Sequence, residues 1–203
     1  MPADKKKLMM PRRGISDLKQ IHAIQSPVRI ALLDLIEANG PMTVAELAAC
    51  LDCAMDGLYY HLKIMTKSGW FVCTTTSASR GRSKTVYDLA QRPYRLEYKP
   101  RDAKNRKAVT RIIAMLLRDA LREFRRSYAN RPVTSGERRN LWSGRKIAWL
   151  TSGEVEDLNR VLHRLVFGVM RTRRQRKAQA KPISFTWVLS PYGGGRRAFN
   201  RNA

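Results

Sequence analysis

The chain is poor in acidic residues, and this shortage points to a polyanionic partner. Its 203 residues contain 16 Asp and Glu against 40 Lys and Arg, which gives a formal net charge of +24. A charge of this size repels itself unless a polyanion compensates it. Nucleic acid is therefore the first partner to consider, and an anionic membrane surface the second. Part of the excess could also lie on solvated faces without any partner.

Cysteines and long apolar runs are scarce as well. The three cysteines are an odd number, and no apolar run of signal-peptide length follows Met1, so the sequence predicts a reducing compartment rather than a disulfide framework. No stretch approaches the roughly 20 apolar residues that a membrane-spanning helix needs. We therefore expect a cytoplasmic protein without a membrane partner.

Motifs for catalysis are missing from the sequence. The chain has three histidines, and no Ser-His-Asp arrangement, H-E-x-x-H spacing or Gly-rich phosphate loop appears. The run Gly193-Gly194-Gly195 lacks the strand-to-helix setting and the lysine of a phosphate-binding loop. We therefore expect neither enzymatic activity nor a bound cofactor.

Helix-start and helix-stop signals are concentrated after Ser26. Pro27 is favoured at a first helical position, and Gly40 between Asn and Pro ends the helix that it opens. Ser26 can cap this helix. Thr43 and Glu46 then form a capping box, which predicts a second, short helix. These signals predict the first two helices of a compact helical unit.

A third helix and a hairpin follow in the sequence. The helix is predicted over residues 54–67, after a tight turn. Its inward positions are Leu58, Leu62 and Met65. Residues 70–76 and 85–89 are predicted as strands, joined by a basic loop over residues 79–84. Two helices, a tight turn, a third helix and a hairpin in this order predict a winged helix-turn-helix.

Two amphipathic helices in the second half predict a dimerisation region. Apolar residues recur at spacings of three and four within residues 109–124 and, after a capping box at Thr151 and Glu154, within residues 155–170. Pairing with the same helices of a second chain would complete a bundle, whereas the alternative is that they pack back on the winged domain. The predicted dimerisation residues are Val109, Ile112, Ile113, Leu116, Leu117, Leu121, Leu158, Leu162, Leu165 and Val169.

The rest of the second half combines β-prone segments with aromatic residues. Residues 146–150 and 183–189 are predicted as short strands. The aromatic residues of interest are Trp142, Trp149, Phe185 and Trp187. They could line an apolar pocket for an unknown small-molecule effector, or they could simply form core.

The predicted fold is mainly α with a small β-wing. It comprises a basic flexible tail (1–14), a winged helix-turn-helix domain (15–98), a helical dimerisation and possible effector region with a short strand (99–190), and a Gly/Arg-rich tail (191–203).

Five ordered motifs within residues 24–89 carry a family resemblance. They are Ser26-Pro27-Val28-Arg29, Thr43-Val44-Ala45-Glu46-Leu47-Ala48, Leu58-Tyr59-Tyr60-His61-Leu62-Lys63, Ser68-Gly69-Trp70, and Arg80-Gly81-Arg82 leading to Val86-Tyr87-Asp88-Leu89. On these motifs the span resembles the ArsR-like superfamily of bacterial winged-helix transcriptional regulators. The resemblance implies a DNA-binding regulator of the bacterial cytosol, more often a repressor than an activator.

The same resemblance predicts a member that does not sense metal. Metal-sensing members place a cysteine cluster on the helix before the turn, and the aligned positions here are Thr43, Ala45 and Ala48. Cys50 and Cys53 form a C-x-x-C, but no second pair completes a zinc site. We expect these two residues and Cys73 to be small buried residues of the core, with a thiol sensor as the alternative.

The start of the predicted recognition helix departs from the family. Related proteins commonly have Ser or Arg in this first turn, whereas this chain has no arginine there to grip a guanine. Met55 could contact a thymine methyl group, and Asp56 could accept a hydrogen bond from a cytosine amino group. The basic wing would follow the minor groove. The candidate DNA-binding residues are Arg29, Thr43, Met55, Asp56, Tyr59, Tyr60, His61, Lys63, Arg80, Arg82 and Lys84.

Two functions are compatible with this sequence. The first is a homodimeric regulator that binds double-stranded DNA sequence-specifically. The alternative is a low-specificity nucleoid-like or RNA-associated protein, since the positive charge outside the winged domain exceeds what one operator needs.

Overall fold

The computed structural model describes residues 14–76, 83–92, 94–169 and 183–191. They divide into two compact units, the first ending at Asp119 and the second beginning at Ala120. The helices are α1 (Leu18–Ala23), α2 (Pro27–Asn39), α3 (Val44–Leu51), α4 (Met55–Lys67), α5 (Ala103–Ala129) and α6 (Ser152–Arg164), and α6 continues into a π-helical turn (Leu165–Val169). The strands are β1 (Met42–Thr43), β2 (Phe71–Thr76) and β3 (Lys84–Leu89).

The predicted signals start and end the helices of the first unit. Pro27 begins α2 after Ser26, although the Ser26 hydroxyl makes no capping bond, and Gly40 ends the helix with φ of 86°. That backbone angle favours glycine. The capping box at Thr43 and Glu46 is present at the start of α3. Local sequence therefore places these boundaries correctly.

A three-stranded antiparallel sheet completes the wing. Its strand order is β1-β3-β2, so the short strand before α3 pairs with β3, the second strand of the hairpin and the central strand of the sheet. Met42 lies opposite Tyr87 in one pair of strands, and Phe71 lies opposite Leu89 in the other. The tip of the hairpin, with the predicted residues Arg80 and Arg82, lies outside the described residues, as do the tails before residue 14 and after residue 191.

The core of the first unit lies between the three central helices and the sheet. The three inward positions predicted for α4, namely Leu58, Leu62 and Met65, are buried. Trp70 is buried as well, and its indole N–H donates to the Gln20 carbonyl oxygen at 2.9 Å. Fully burying each such large apolar side chain contributes about 1.5–3 kcal/mol. This core holds α4 in a fixed orientation on α2 and α3.

The first part of α5 belongs to the same core. Asn105 is buried, and its amide accepts from the Lys99 backbone N–H at 2.9 Å and donates to the Glu97 carbonyl oxygen at 3.1 Å. Gln25 donates to the carbonyl oxygen of Ala108 in α5 at 3.1 Å. Because these bonds satisfy buried polar groups, they fix the start of α5 against the segment that precedes it and against the turn between α1 and α2.

The second unit consists of the last part of α5, α6 and segments without regular secondary structure. The capping box predicted at Thr151 and Glu154 opens α6. The strands predicted over residues 146–150 and 183–189 do not form, since neither segment pairs with a neighbouring strand among the described residues. Alternating apolar residues do not make a strand where no neighbouring strand supplies hydrogen bonds. Within the described residues, no helix combines the length and apolar character needed to span a bilayer.

Candidate nucleic-acid interface

The outer face of α4 carries two exposed tyrosines and an exposed methionine. Met55 is 46% exposed, Tyr59 52% and Tyr60 66%. Asp56 and Lys63 are also exposed on this helix. The buried positions of α4 face the core, so its remaining side chains form one surface that is open to a partner. These are five of the residues predicted to contact DNA, and the fold brings them together.

Arg29 and His61 join α2 to the flank of α4. Arg29 is half-buried, and its Nε–H donates to the carbonyl oxygen of Ala23. Its Nη1 lies 3.5 Å from Nδ1 of His61. Burial of the imidazole and the nearby Arg29 charge lower the pKa of His61, so the ring is mainly neutral at pH 7. Tyr60 meets the His61 ring edge-on, with 5.4 Å between centroids.

Thr43 has a structural role at the start of α3. Its hydroxyl donates to Oε2 of Glu46 at 2.8 Å and accepts from the Glu46 backbone N–H at 3.3 Å. The hydrogen bonds from the Thr43 backbone N–H and hydroxyl lower the pKa of Glu46, and the charge of Lys84 lowers it further. Exposed Lys84 therefore lies near the start of α3, on the wing side of the unit.

The prediction that the three cysteines are buried in the core is wrong. Cys50, Cys53 and Cys73 are all exposed. Cys50 is near the end of α3, Cys53 lies in the turn before α4, and Cys73 lies opposite Tyr87 in the hairpin. The core face of α3 is formed by Val44, Leu47 and Ala48, and Cys50 lies outside this face. Among the described residues, no group of three or more His, Cys, Asp or Glu is placed to hold a metal ion.

The predicted dimerisation residues fall into two groups. Val109 and Ile112 are buried, and Leu116 packs against the core of the first unit. For this part of α5 the alternative, packing on the winged domain, describes the structure. Leu117 and Leu121 are exposed, each at 49%. The other predicted residues are half-buried: Ile113, Leu158, Leu162 and Leu165. The side chain of Val169 lies outside the described residues.

The aromatic residues of the second unit do not form a plain core. Trp142, Trp149, Phe185 and Trp187 are all exposed. The Arg139 guanidinium lies 3.6 Å from the centroid of the Trp142 ring, a cation–π contact. The expectation that these residues form core is therefore wrong for the described structure, and their role in binding an effector stays a prediction.

Gly57 is a residue of this surface that the sequence analysis did not single out. It lies in the first turn of α4 and is exposed, and a Cβ added to it would meet no atom within 4 Å. The signal that could have found it is the presence of glycine inside a predicted helix, where it weakens the helix.

Comparison with known proteins supports the helix-turn-helix assignment. The family model for the helix-turn-helix domain matches residues 24–69. Among curated protein sequences, none matches this chain.

Three solved structures are similar to the chain at low scores. A transcriptional regulator homologue from Pyrococcus horikoshii OT3 has 17% identity and a TM-score of 0.33 over 53% of this chain and 98% of its own. An ArsR family transcriptional regulator has 23% identity and a TM-score of 0.28 over 49% of this chain and 84% of its own. Disulfide-formed AbfR has 12% identity and a TM-score of 0.33 over 56% and 80%. Scores this low carry no argument about function.

The matched segment covers the elements that form the candidate interface. It contains α2, α3 and α4, and the β2–β3 hairpin follows it directly. The helix-turn-helix is a DNA-binding module in which the second helix of the motif enters the major groove. This chain therefore carries a helix-turn-helix domain with a β-hairpin wing.

Proposed function

We propose that the protein is a homodimeric, sequence-specific transcriptional regulator, acting as a repressor in the cytoplasm. The observation that carries this proposal is the open outer face of α4, held by a buried inner face in a helix-turn-helix. A formal net charge of +24 supplies the long-range attraction to DNA. In this proposal α4 enters the major groove and the basic wing follows the adjacent backbone and minor groove.

Apolar contacts to thymine fit the composition of α4. Met55 is exposed at the first position of the helix, which is the end that a recognition helix inserts into the groove. Its thioether suits the C5 methyl group of thymine, and Asp56 suits the amino group of cytosine. Lys63, Tyr59 and Tyr60 add donors and aromatic area farther along the helix. This surface favours sites in which thymine rather than guanine carries the sequence information.

Uracil substitution tests the thymine contact directly. Replacing thymine by deoxyuridine in a bound duplex removes the methyl group and leaves base pairing intact. Wild-type protein should lose about fivefold or more in affinity at one or two positions of each half-site, since a specific base contact is worth about 1–3 kcal/mol. The Met55→Ala variant should bind the thymine duplex and the deoxyuridine duplex with equal affinity at the contacted position. A duplex with deoxyuridine at a position outside the contact is the matched control.

Phosphate contacts by the wing and by Arg29 set the salt dependence. A dimer that neutralises on the order of eight phosphates should show a slope of about −7 for log affinity against log salt. The Arg82→Ala variant should weaken binding to all sequences and flatten this slope by about one. An unchanged slope would remove Arg82 from the interface.

Dimerisation is proposed through the part of the second half that the fold leaves uncovered. Leu117 and Leu121 are exposed and lie four residues apart on one face of α5, and α6 presents Leu158 and Leu162 without burying any residue fully. Leu121→Asp and Leu162→Asp should produce monomers in sedimentation and weaken DNA binding by more than tenfold. Ser127→Asp places the same charge at an exposed, uncharged position of α5 and is the control. Dimers that persist in both leucine variants would contradict this interface.

Selection of bound genomic fragments tests the function as a whole. An operator-binding protein should exceed its non-specific affinity by a factor on the order of 10³ or more at physiological salt, with half-sites about 34 Å apart. The second candidate, low-specificity nucleic-acid binding, is favoured by the arginines exposed along α5: Arg111, Arg118, Arg122, Arg125 and Arg126. A specificity ratio below about tenfold would favour this second function and reject the first.

A further inference from the structure

Gly57 weakens α4 without serving the packing of the protein. Glycine is the least favourable helix residue after proline, because its backbone loses the most freedom on folding. Gly57 lies in the third position of α4 with an ordinary helical backbone, and a Cβ there would point into open space. Alanine would therefore fit this site in the free protein and strengthen the helix. We infer that the absence of a side chain at Gly57 leaves space for a binding partner.

The open position at Gly57 lies close to the half-buried contact between Arg29 of α2 and His61 of α4. Residues four apart share a helix face, so Gly57 lies one turn before His61. The His61 Nδ1 faces the Nη1 of Arg29 at 3.5 Å. Because arginine can only donate, the neutral ring accepts at Nδ1 and carries its proton on Nε2. The second ring nitrogen is thereby set as a hydrogen-bond donor.

Arg29 has further N–H groups that could donate to a ligand. Its guanidinium has five N–H groups. Among the described residues, one is used by the Ala23 carbonyl oxygen and one is directed at His61. A phosphodiester oxygen carries a negative charge and accepts several hydrogen bonds. It could therefore accept from the remaining N–H groups of Arg29 and from Nε2–H of His61, and the positive charge of Arg29 would attract it.

We propose that Gly57 is a clearance site, which lets one phosphate of the DNA backbone approach the flank of α4 and bind Arg29 and His61. This inference rests on the proposed DNA-binding function and deepens it, since it names the group of the DNA that meets this flank. A phosphate here would fix how far α4 enters the groove. The base contacts of the outer face would then depend on a contact that carries no sequence information itself.

Substitutions of graded size at Gly57 test the clearance. Gly57→Ala should raise the melting temperature and weaken binding to a selected duplex by about threefold, and Gly57→Leu should weaken it about tenfold or more, as expected for the loss of hydrogen bonds to a charged group. The matched control is Gly153, which also lies in the first turn of a helix with open space at its Cβ. Gly153→Ala and Gly153→Leu should leave the affinity within twofold of wild type.

Uncharged phosphate analogues in the DNA backbone identify the phosphate that Arg29 and His61 contact. A set of duplexes, each with one methylphosphonate in place of a phosphate, should show a fall in wild-type affinity at every contacted phosphate, and one of these positions in each half-site should be the phosphate bound by Arg29 and His61. Gly57→Leu and Arg29→Met should lose that position-specific fall while keeping the others. If Gly57→Ala and Gly57→Leu both bind as tightly as wild type, the clearance is refuted while DNA binding stands. If wild-type protein binds no duplex above background, the proposed function itself fails.

Discussion

The two units of this protein contain similar helices but differ in how much they bury. Every buried hydrophobic residue of the described chain lies between Ile15 and Met115, so all of them belong to the first unit. The second unit exposes large apolar residues instead, among them Trp142, Trp149 and Trp187. Amphipathic patterning is therefore present in both units, while a core is present in one.

The contrast between α4 and α6 shows what is responsible for this difference. Both helices have 13 residues, and both carry apolar residues along one stripe. The stripe of α4 contains three buried residues, whereas α6 contains none. Helix α6 even has a complete capping box, which α4 lacks. Local signals thus form either helix, and only packing partners make one of them a rigid platform.

The largest effect that separates the two units is expected from removing one leucine in each. Leu62→Ala should lower the free energy of unfolding by about 2–5 kcal/mol, because Leu62 is fully buried and its truncation leaves a cavity. Leu162→Ala should cost less than about 1 kcal/mol at low protein concentration, because Leu162 is half-exposed. Urea unfolding followed by circular dichroism measures both.

Protein concentration makes the same pair of variants more informative. If α6 pairs with a second copy, the cost of Leu162→Ala should grow as the concentration rises, whereas the cost of Leu62→Ala should not. If both variants lost the same unfolding free energy at low concentration, the two units would not differ in how much their helices are stabilised by packing.

Two capping boxes allow a comparison of intermediate size. Thr43→Ala and Thr151→Ala each remove a hydroxyl that accepts from a Glu backbone N–H at 3.3 Å. Thr43→Ala should lower the free energy of global unfolding by about 1 kcal/mol, since α3 packs into the core. Thr151→Ala should reduce helix content and hydrogen-exchange protection within α6 alone. Serine at either position should restore the cap and serves as the control.

The smallest effect concerns a carboxyl group of the first unit. Desolvation and the charge of Glu37 raise the pKa of Asp34 to about 6, against the opposing hydrogen bond that Tyr94 donates at 3.4 Å. The folded protein thus holds this proton more tightly than the unfolded chain, so stability falls as pH rises from 3.8 to about 6 and stays reduced above. Because Asp34 is exposed on one side, this penalty is about 1 kcal/mol after allowance for solvent.

Asp34→Asn tests this penalty. The variant should be more stable than wild type by about 1 kcal/mol at pH 8 and equal to it below pH 4, in thermal or urea unfolding. Glu37→Gln should give part of the same gain, because it removes the neighbouring negative charge. A gain from Asp34→Asn that is the same at pH 3 and pH 8 would contradict the raised pKa.

Sequence predicted the helix-turn-helix closely because its signals are local. The cap at Thr43, the stop at Gly40 and the inward residues of α4 act within one or two turns of helix, so spacing alone identifies them. The exposure of Met55 and Tyr60 follows from the same periodicity. The exposure expected for these side chains therefore agrees with the structure, and their contacts with DNA stay a prediction.

Predictions that depended on long-range packing fared less well. Burial of Cys50, Cys53 and Cys73 was expected from residue type, but all three lie at positions that face away from the core. Val109 and Ile112 were expected at a dimer interface, yet they pack within their own chain. An apolar stripe indicates that a helix face will be covered, and it does not say which surface covers it.

The sequence by itself determined the bounds of α2, α3, α4 and the two hairpin strands to within about one residue, because caps, turns and apolar spacing depend on neighbouring residues. It also determined the positive charge that makes DNA the natural partner. Tertiary structure alone decided that the start of α5 completes the winged core, that Arg29 meets His61, and that Gly57 faces open space. These features join residues from distant parts of the chain, or depend on what is absent around one of them, and only packing in three dimensions brings them about.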